Sequence, residues 1–288
     1  MQPKSQNQEN SSLTFSKYHG AGNDFILVDG IKQAGETNWW RRESIARLCD
    51  RHYGIGADGL IVLLKSDSGD YRMKHFNADG QEAEMCGNGL RCLALFIRDQ
   101  GYPVASPMKI QTLAGEVAVD IRSGGRVHVA MPPVSFERKS LPMRGKGECI
   151  DEELRIEGVT LRITACSVGN PHVVIFGRFA DEQVKILGPK IENHELFPQG
   201  TNVHFVHLEA PDKISQKIWE RGCGATLACG SGAVAAVAAG IARGWLPHGA
   251  VIRVQQPGGE LCVAIAGEFK ASSLEGEATL VFEGTASL

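Results

Sequence analysis

The sequence lacks the features that mark several large classes of protein. It has no run rich in lysine and arginine, and its formal net charge is -3 with a pI near 6.3. It therefore has no general attraction for phosphate backbones or anionic membranes. The most apolar segment, AVAAVAAGIA, is too short to span a bilayer, and the opening MQPKSQNQENSS lacks the apolar stretch of a signal peptide. We expect no nucleic-acid partner, no membrane association, a disordered tail over residues 1–12 and a cytoplasmic location.

Cysteine is present but sparse. The chain has 8 cysteines in 288 residues, which is too few for a disulfide scaffold, and it has no Cys-x-x-Cys pair. The 9 histidines show no ligand spacing beside the cysteines, so we expect no metal site. His204 and His207, in the segment NVHFVHL, are interpreted as solvent-facing strand positions rather than as ligands.

An internal repeat is the most informative feature that the chain does have. The segment MCGNGLRC at residues 85–92 resembles ACGSGAVA at residues 228–235, and each cysteine is followed 15 residues later by Gly101 or Gly244. A proline follows each glycine closely, which is typical of a helix C-terminus. The flanking segments match as well, TLAGEVAV with QPGGELCV and HGAGNDFILVD with SVGNPHVVIF. The pattern predicts a duplicated unit with one helix that begins beside each cysteine.

These patterns predict an α/β protein of the α+β type with two pseudo-symmetric domains. Each domain is expected to be a curved mixed sheet or barrel wrapped around a central helix, because the second helix is apolar on every side and must be covered all round. Outer helices are predicted in TNWWRRESIARLCDRH and DEQVKILGPKIENHELF. We expect the domains to span residues 13–131 and 132–275, with a C-terminal strand at about 276–288 that returns to the first. The active site is expected in the cleft between them.

The position of the two cysteines suggests their chemistry. A thiol at a helix N-terminus meets the positive end of the dipole and free N–H groups, which can depress its pKa below about 8.5. The same amides can bind the carboxylate of a small anionic ligand. Two thiols on opposite faces of one bound molecule could remove a proton from one face and return one to the other. The arrangement therefore indicates a racemase or epimerase.

A resemblance to a known family supports this interpretation. FSKYHGAGNDFILVD, GIGADGL, FNADGQEAEMCGNGLRC, VGNPH, TNVHFV and WERGCGATLACGSGA together resemble the diaminopimelate epimerases, from about residue 14 to the C-terminus. The resemblance implies an enzyme without pyridoxal phosphate or any other cofactor. Such an enzyme interconverts LL- and meso-diaminopimelate for lysine and peptidoglycan synthesis. Its partner would be this small-molecule substrate, and a homodimer is possible.

The resemblance also implies roles for individual residues. Cys86 and Cys229 would be the catalytic acid/base pair, while His172 and Glu220 would hold the ammonium group and assist proton transfer. Gly87, Asn88, Gly230 and Ser231 would supply the amides that receive the α-carboxylate, and Asn23, Asn77, Asn202 and Arg221 would hold the distal end. Asn170 and Glu220 are further substrate-binding positions. Considered singly, Asn23 and Asn77 are also typical turn residues, and His172 a structural one.

The sequence is also compatible with three other functions. A related racemase of the histidine or proline type would share the thiol pair, but the distal-end residues favour the first interpretation. A thiol redox or metal-binding protein and a non-catalytic binding protein are less favoured, because both cysteines and their Gly-rich turns are present. Ala225, Gly59 and Leu90 stand where many or some members of the family carry other residues, so these three positions are where packing and substrate fit would differ from the family.

Overall fold

The computed structural model describes residues 12–33 and 40–287. The predicted tail lies outside the described residues except for Ser12, which begins the first strand. The first three residues of TNWWRRESIARLCDRH, residues 37–39, also lie outside them. Four helices are described: α1 (Arg42–Cys49), α2 (Gly87–Asp99), α3 (Asp181–Glu192) and α4 (Gly230–Ala242).

Eighteen strands are described, and they follow the repeat seen in the sequence. The first half of the chain holds β1 (Ser12–Gly20), β2 (Asn23–Asp29), β3 (Gly59–Lys65), β4 (Tyr71–Asn77), β5 (Glu82–Ala83), β6 (Met108–Thr112), β7 (Gly115–Ile121) and β8 (Val127–Met131). The second half holds β9 (Cys149–Ile156), β10 (Val159–Ser167), β11 (Pro171–Phe176), β12 (Asn202–Ala210), β13 (Lys213–Glu220), β14 (Gly224–Thr226), β15 (Val251–Gln256), β16 (Gly259–Ala266) and β17 (Ala271–Gly276), followed by β18 (Thr279–Ser287).

The two halves share one strand order. It runs β18, β1, β2, β3, β4, β6, β7, β8 in one half and β9, β10, β11, β12, β13, β15, β16, β17 in the other. The short strands β5 and β14 pair with β4 and β13. Strand β8 pairs antiparallel with β17, which joins the two sheets. The C-terminal strand β18 pairs with β1, at the opposite end of the chain.

The helices follow from the parallel strand pairs. Strands β2 and β3, β4 and β6, β11 and β12, and β13 and β15 are parallel, and each pair needs a crossover connection. α1 and α3 provide the first crossover of each half, and α2 and α4 provide the second. The two cysteine motifs therefore occupy equivalent places, at the start of the second crossover.

The core explains why the central strands are apolar on both faces. The largest cluster encloses α2 and α4 and contains residues of both halves, while separate clusters pack α1 and α3 against the outer faces of the sheets. Residues from Ala233 to Ala239 are all fully buried, which fits a helix covered on every side. The predicted fold class, with mixed sheets around central helices, is confirmed. No helix within the described ranges is long and apolar enough to cross a membrane.

Candidate active site

Cys86 and Cys229 hold the same position at the two central helices. Each is the N-cap residue, with φ of -137° for Cys86 and -134° for Cys229. The sulfur of each accepts a hydrogen bond of 3.4 Å from a backbone N–H, that of Gly89 in α2 and that of Gly232 in α4. Both thiols are free, and both lie at the positive end of a helix.

The two helix N-termini meet inside the molecule. A Cβ at Gly230 would lie 3.5 Å from Asn88 Oδ1, and Leu274 of β17 lies against both Gly87 and Gly230. The negative charge of Glu220 raises the pKa of both Cys86 and Cys229, so one acidic group acts on both thiols. The paired motifs thus converge on a single site between the halves.

The pKa of each thiol departs from the expectation drawn from the sequence. Burial raises the pKa of both Cys86 and Cys229, and the negative charge of Glu220 raises both further. The helix N-terminal amides do lower the pKa of each thiol, but by less than desolvation raises it. The depression below about 8.5 that a helix N-terminus can cause is therefore outweighed by burial. The sequence could not reveal how deeply each sulfur is buried.

Asn23 anchors the first cysteine. Its Oδ1 accepts hydrogen bonds from Asn88 Nδ2 at 3.1 Å and from Cys86 Sγ at 3.8 Å, and its Nδ2 donates to Asp58 Oδ2 at 2.8 Å. Arg51 in turn pairs with Asp58 at 2.7 Å. Asn88 is buried, and its Oδ1 has no hydrogen-bond partner among the residues that the structure describes. The site therefore holds an unused acceptor directly beside the thiol.

Gln256 holds the backbone of the second cysteine. Its Oε1 accepts from Cys229 N at 3.0 Å, and its Nε2 donates to Cys229 O at the same distance. Ser231 Oγ lies 3.7 Å from Cys229 Sγ. Gln256 was not identified from the sequence, although it lies three residues before the repeated Gly-Glu pair, at the place equivalent to Thr112 in the first half. That equivalence was the available signal.

Glu220 is part of the same group. Burial raises the pKa of its carboxyl, and hydrogen bonds from Thr226 and Cys229 lower it by less. The bond from Thr226 Oγ1 to Glu220 Oε1 measures 2.5 Å. A buried carboxylate that accepts the hydrogen bond of the Cys229 thiol is placed to exchange a proton with it. Thr226 was missed because nothing in its sequence context separates it from an ordinary strand residue.

His172 is fully buried and forms a chain of polar side chains. Its Nε2 lies 2.7 Å from Asn170 Oδ1, and its Nδ1 lies 2.9 Å from His204 Nε2. His204 Nδ1 then lies 2.7 Å from Gln216 Nε2. Burial lowers the pKa of both imidazoles, that of His204 to about 3, so both rings are neutral near pH 7.

The interpretation of His204 as solvent-facing is wrong, because this side chain is fully buried. Strand β12 is covered on both faces. Val203 and Phe205 point into the cluster around α3, while His204 and Val206 point the other way, toward α4. A polar residue on such a strand cannot reach water, whereas His207, nearer the strand end, is only half-buried.

Of the predicted distal-end residues, Arg221 and Asn77 are exposed, whereas Asn202 is buried. Asn202 donates from Nδ2 to Pro171 O at 2.9 Å, and its Oδ1 accepts from the backbone N of Arg221 at 3.0 Å. The Arg221 side chain is exposed and donates to Gln199 O at 3.2 Å. Asn77 is exposed at the end of β4, where its backbone forms a turn with Gln81. Asn202 therefore orients the backbone that carries Glu220 and Arg221.

The three departures from the family pattern differ in their surroundings. A Cβ at Gly59 would lie 2.6 Å from the carbonyl oxygen of Phe76, so a larger residue there would require the strand to move. Leu90 is fully buried in the central cluster, and Ala225 is exposed on β14. Only Gly59 is constrained by the backbone around it.

Comparison with known proteins agrees with this geometry. The profile of the family described as diaminopimelate epimerase matches residues 15–137 and 164–281. A relative named diaminopimelate epimerase from Pelotomaculum thermopropionicum is 42% identical and covers 94% of this chain and 98% of its own length. One with the same name from Methanothermobacter thermautotrophicus is 41% identical over 94% of this chain and 98% of its own length.

Solved structures share the fold at low sequence identity. A hydroxyproline epimerase from Agrobacterium vitis has a TM-score of 0.70 and 16% identity, with 98% of this chain and 94% of that chain covered. A PhzF-family phenazine biosynthesis protein from Bacillus anthracis has a TM-score of 0.72 and 17% identity, with 96% and 100% covered. The match to the family profile and the full-length relatives establish that the chain belongs to the diaminopimelate epimerase family.

Proposed function

We propose that the protein interconverts LL- and meso-diaminopimelate by a proton transfer in which Cys86 and Cys229 are the two acid/base groups. One observation carries the proposal: two equivalent N-cap thiols lie at two central helix N-termini that meet in one site. A single thiol could remove the α-proton, but inversion requires a second proton donor on the opposite face of the carbon. The repeat supplies that donor.

The α-carboxylate would bind the free amides of the helix N-termini. The candidates are those of Gly87 and Asn88 in α2 and those of Gly230 and Ser231 in α4, since the first N–H groups of a helix have no partner within it. Negative charge moves toward this carboxylate as the α-proton leaves, and aligned amides stabilise it there. No cofactor is then needed to accept the electron pair.

The raised thiol pKa values have a chemical use. A thiolate whose conjugate acid has a high pKa is a stronger base toward a weakly acidic C–H group, although less of it is ionised. Glu220 can take the proton of Cys229, to which it is hydrogen-bonded, and so produce the thiolate without exchange with bulk water. His172, with Asn170 beside it, would orient the reacting amino group.

Recognition of the distal end of the substrate would involve one arginine and three asparagines. The guanidinium of Arg221 is exposed and can pair with the far carboxylate in bidentate fashion, which a monocarboxylate amino acid cannot offer. Asn23, Asn77 and Asn202 would recognise the second amino acid centre by hydrogen bonding.

We also propose that the chain divides into two domains near residues 131 and 132, with β18 as part of the first domain. The homodimer and the cytoplasmic location stay predictions.

The test is solvent deuterium exchange at the α-carbon, followed by NMR and chiral separation. With LL-diaminopimelate in D₂O, we expect deuterium incorporation together with formation of the meso isomer. L-proline and L-histidine are tested in parallel with the same enzyme. Exchange of either of these, with none of diaminopimelate, would contradict the proposed substrate and favour the sister racemases.

A further inference from the structure

Three potential metal ligands meet beside the N-terminus of α4. His172, His204 and Cys229 are all buried, and one ring nitrogen of each histidine and the sulfur of the cysteine lie within 4.8 Å of one another. Two imidazoles and one thiolate form a ligand set that suits Zn²⁺, which accepts nitrogen and sulfur donors in tetrahedral sites. The proposed epimerisation needs Cys229 but gives no role to His204.

The fold brings these ligands together through one close approach. Strands β11 and β12 are parallel neighbours, with His172 opposite Asn202 and His204 two residues further on. The His204 ring lies directly on the backbone of α4, where a Cβ at Gly232 would be only 2.1 Å from its Cε1. The glycine therefore allows the imidazole to approach the first turn of the helix, beside Cys229.

One outer ring nitrogen, that of His172, is already held as a metal site requires, and the other needs one amide to turn. Metal-bound histidines usually donate their other N–H to a carbonyl or carboxylate, which fixes the ring. Asn170 Oδ1 lies 2.7 Å from Nε2 of His172. Gln216 lies 2.7 Å from Nδ1 of His204, and its buried Oε1 has no hydrogen-bond partner within the described part of the chain. If this amide turns end for end, Oε1 accepts from Nδ1–H and leaves a lone pair on the inner nitrogen of His204.

The two inner nitrogens are close enough to bind one metal ion. His172 Nδ1 and His204 Nε2 are 2.9 Å apart. Two nitrogens bound to one tetrahedral Zn²⁺ at about 2.0–2.1 Å lie roughly 3.3 Å from each other, so the rings need to part only slightly. The thiol of Cys229 completes three protein ligands, and a tetrahedral Zn²⁺ then has one further position for a water molecule or another ligand.

We propose that Zn²⁺ and similar thiophilic divalent cations bind His172 Nδ1, His204 Nε2 and Cys229 Sγ and inhibit the enzyme. A metal–sulfur bond forms as the Cys229 thiol releases its proton to solvent, and no group is oxidised or reduced. The sulfur can then neither accept nor donate a proton at the α-carbon. Inhibition rests on the proposed function, whereas metal binding itself does not.

The experiment titrates the metal-free full-length protein with Co²⁺ and follows the near-ultraviolet thiolate-to-cobalt charge-transfer band. We expect one Co²⁺ per chain, displaced by one Zn²⁺. The band should disappear in Cys229→Ser and persist in Cys223→Ser, which removes an exposed thiol six residues earlier. His204→Asn should weaken Co²⁺ binding at least about tenfold. Loss of a group that only hydrogen-bonds to a metal ligand already costs about 10- to 100-fold in metal affinity, and His204 is itself a ligand. His207→Asn, on the same strand, should bind like wild type.

His172→Asn provides a second ligand variant in case His204→Asn does not fold, as judged by far-ultraviolet circular dichroism. A band that persists in Cys229→Ser, or wild-type affinity in both folded histidine variants, would overturn the site and indicate adventitious binding elsewhere. In assays of epimerisation, Zn²⁺ should inhibit wild type reversibly, with activity restored by a chelator. If the band behaves as expected but no substrate is turned over, the metal site stands and the proposed function fails.

Discussion

At the scale of single residues, the two thiols are supported by different neighbours. Cys86 depends on the side chain of Asn23, whereas the backbone of Cys229 is held by Gln256 and its thiol contacts Glu220. The repeat thus supplies the same N-cap geometry twice, but the surrounding polar groups are not repeated. Removing a supporting group should therefore affect one proton transfer more than the other.

Asn23→Ala should lower kcat, because it disturbs the position of the Cys86 thiol. The substitution removes the acceptor for Cys86 and Asn88 and leaves the buried Asn88 amide without its partner. Small misplacement of a reacting group can cost about a hundredfold in rate, so we expect a fall in kcat of about ten- to a hundredfold. Asn193→Ala, which removes an exposed hydrogen bond at the end of α3, is the control and should keep its activity. Equal kcat values for the two variants would contradict the proposed role of Asn23.

Glu220→Gln should lower activity and raise stability at neutral pH. Because burial raises the pKa of Glu220 in the folded state, the folded protein disfavours the ionised form. The contribution of this group to the free energy of unfolding is therefore fully present at low pH. It is lost as the pH rises from the pKa of Glu220 in the unfolded state toward its higher pKa in the folded state. Glutamine removes that loss, so thermal unfolding should show a higher Tm than wild type at pH 8 and little difference at pH 4.

The same variant should reduce kcat by about 10²- to 10⁴-fold, the usual contribution of a general acid or base. Glu182→Gln, at an exposed position in the first turn of α3, is the matched control and should keep the wild-type kcat. A Glu220→Gln enzyme with wild-type kcat would show that Glu220 takes no part in proton transfer.

At the scale of helices and strands, the sequence was sufficient for the central helices but not for their contacts. The repeated Cys-Gly motif and the glycine 15 residues later predicted α2 and α4 because those signals are local. The contact of His204 with α4 depends on which face of β12 is covered, which is set by strand pairing and packing far along the chain. The thiol pKa values were unpredictable for the same reason.

Gly232→Ala tests that contact. Alanine normally favours a helix over glycine by up to about 1 kcal/mol, so the substitution would stabilise an unobstructed helix. Here the new Cβ would collide with the His204 ring, and overpacking of this kind typically costs about 1–3 kcal/mol. We expect a net loss in the free energy of unfolding, measured by urea denaturation.

A double-mutant cycle separates the collision from other effects. His204→Ala removes the ring, so Gly232→Ala should cost less in that background than in wild type. If the two substitutions were simply additive, the His204 ring would not be the group that Gly232 accommodates.

At the scale of the whole molecule, the C-terminal strand links the two ends of the chain. β18 pairs with β1, with Phe282 against Phe15 at 5.8 Å between ring centroids and Ser16 Oγ donating to Glu283 Oε1 at 2.9 Å. The sequence suggested such a return only weakly, since a pairing between residues this far apart leaves no local pattern. The halves are therefore connected both at the β8–β17 pair and through the chain that leads into β18.

Phe282→Ala should lower the free energy of unfolding, because it removes an edge-to-face aromatic pair. We expect the pair to contribute about 0.5–1.5 kcal/mol in addition to the free energy gained from burying the apolar surface of the ring. Val281→Ala changes a neighbouring residue that is 54% exposed and should have a smaller effect. Urea denaturation of both variants provides the measurement. Equal losses would show that the aromatic pair adds nothing to the attachment of β18.

The central claim is that two thiols act on opposite faces of one carbon, and exchange without inversion tests it most directly. Cys86→Ala and Cys229→Ala are incubated in D₂O with each stereoisomer of diaminopimelate, with Cys92→Ala as a matched control that removes a buried thiol from the same helix as Cys86. We predict that both variants lose inversion by at least about 10²-fold. Each variant should still exchange the α-proton of one isomer, and the two variants should differ in which isomer that is. Inversion that survives in either variant, or exchange of the same isomer by both, would contradict the account.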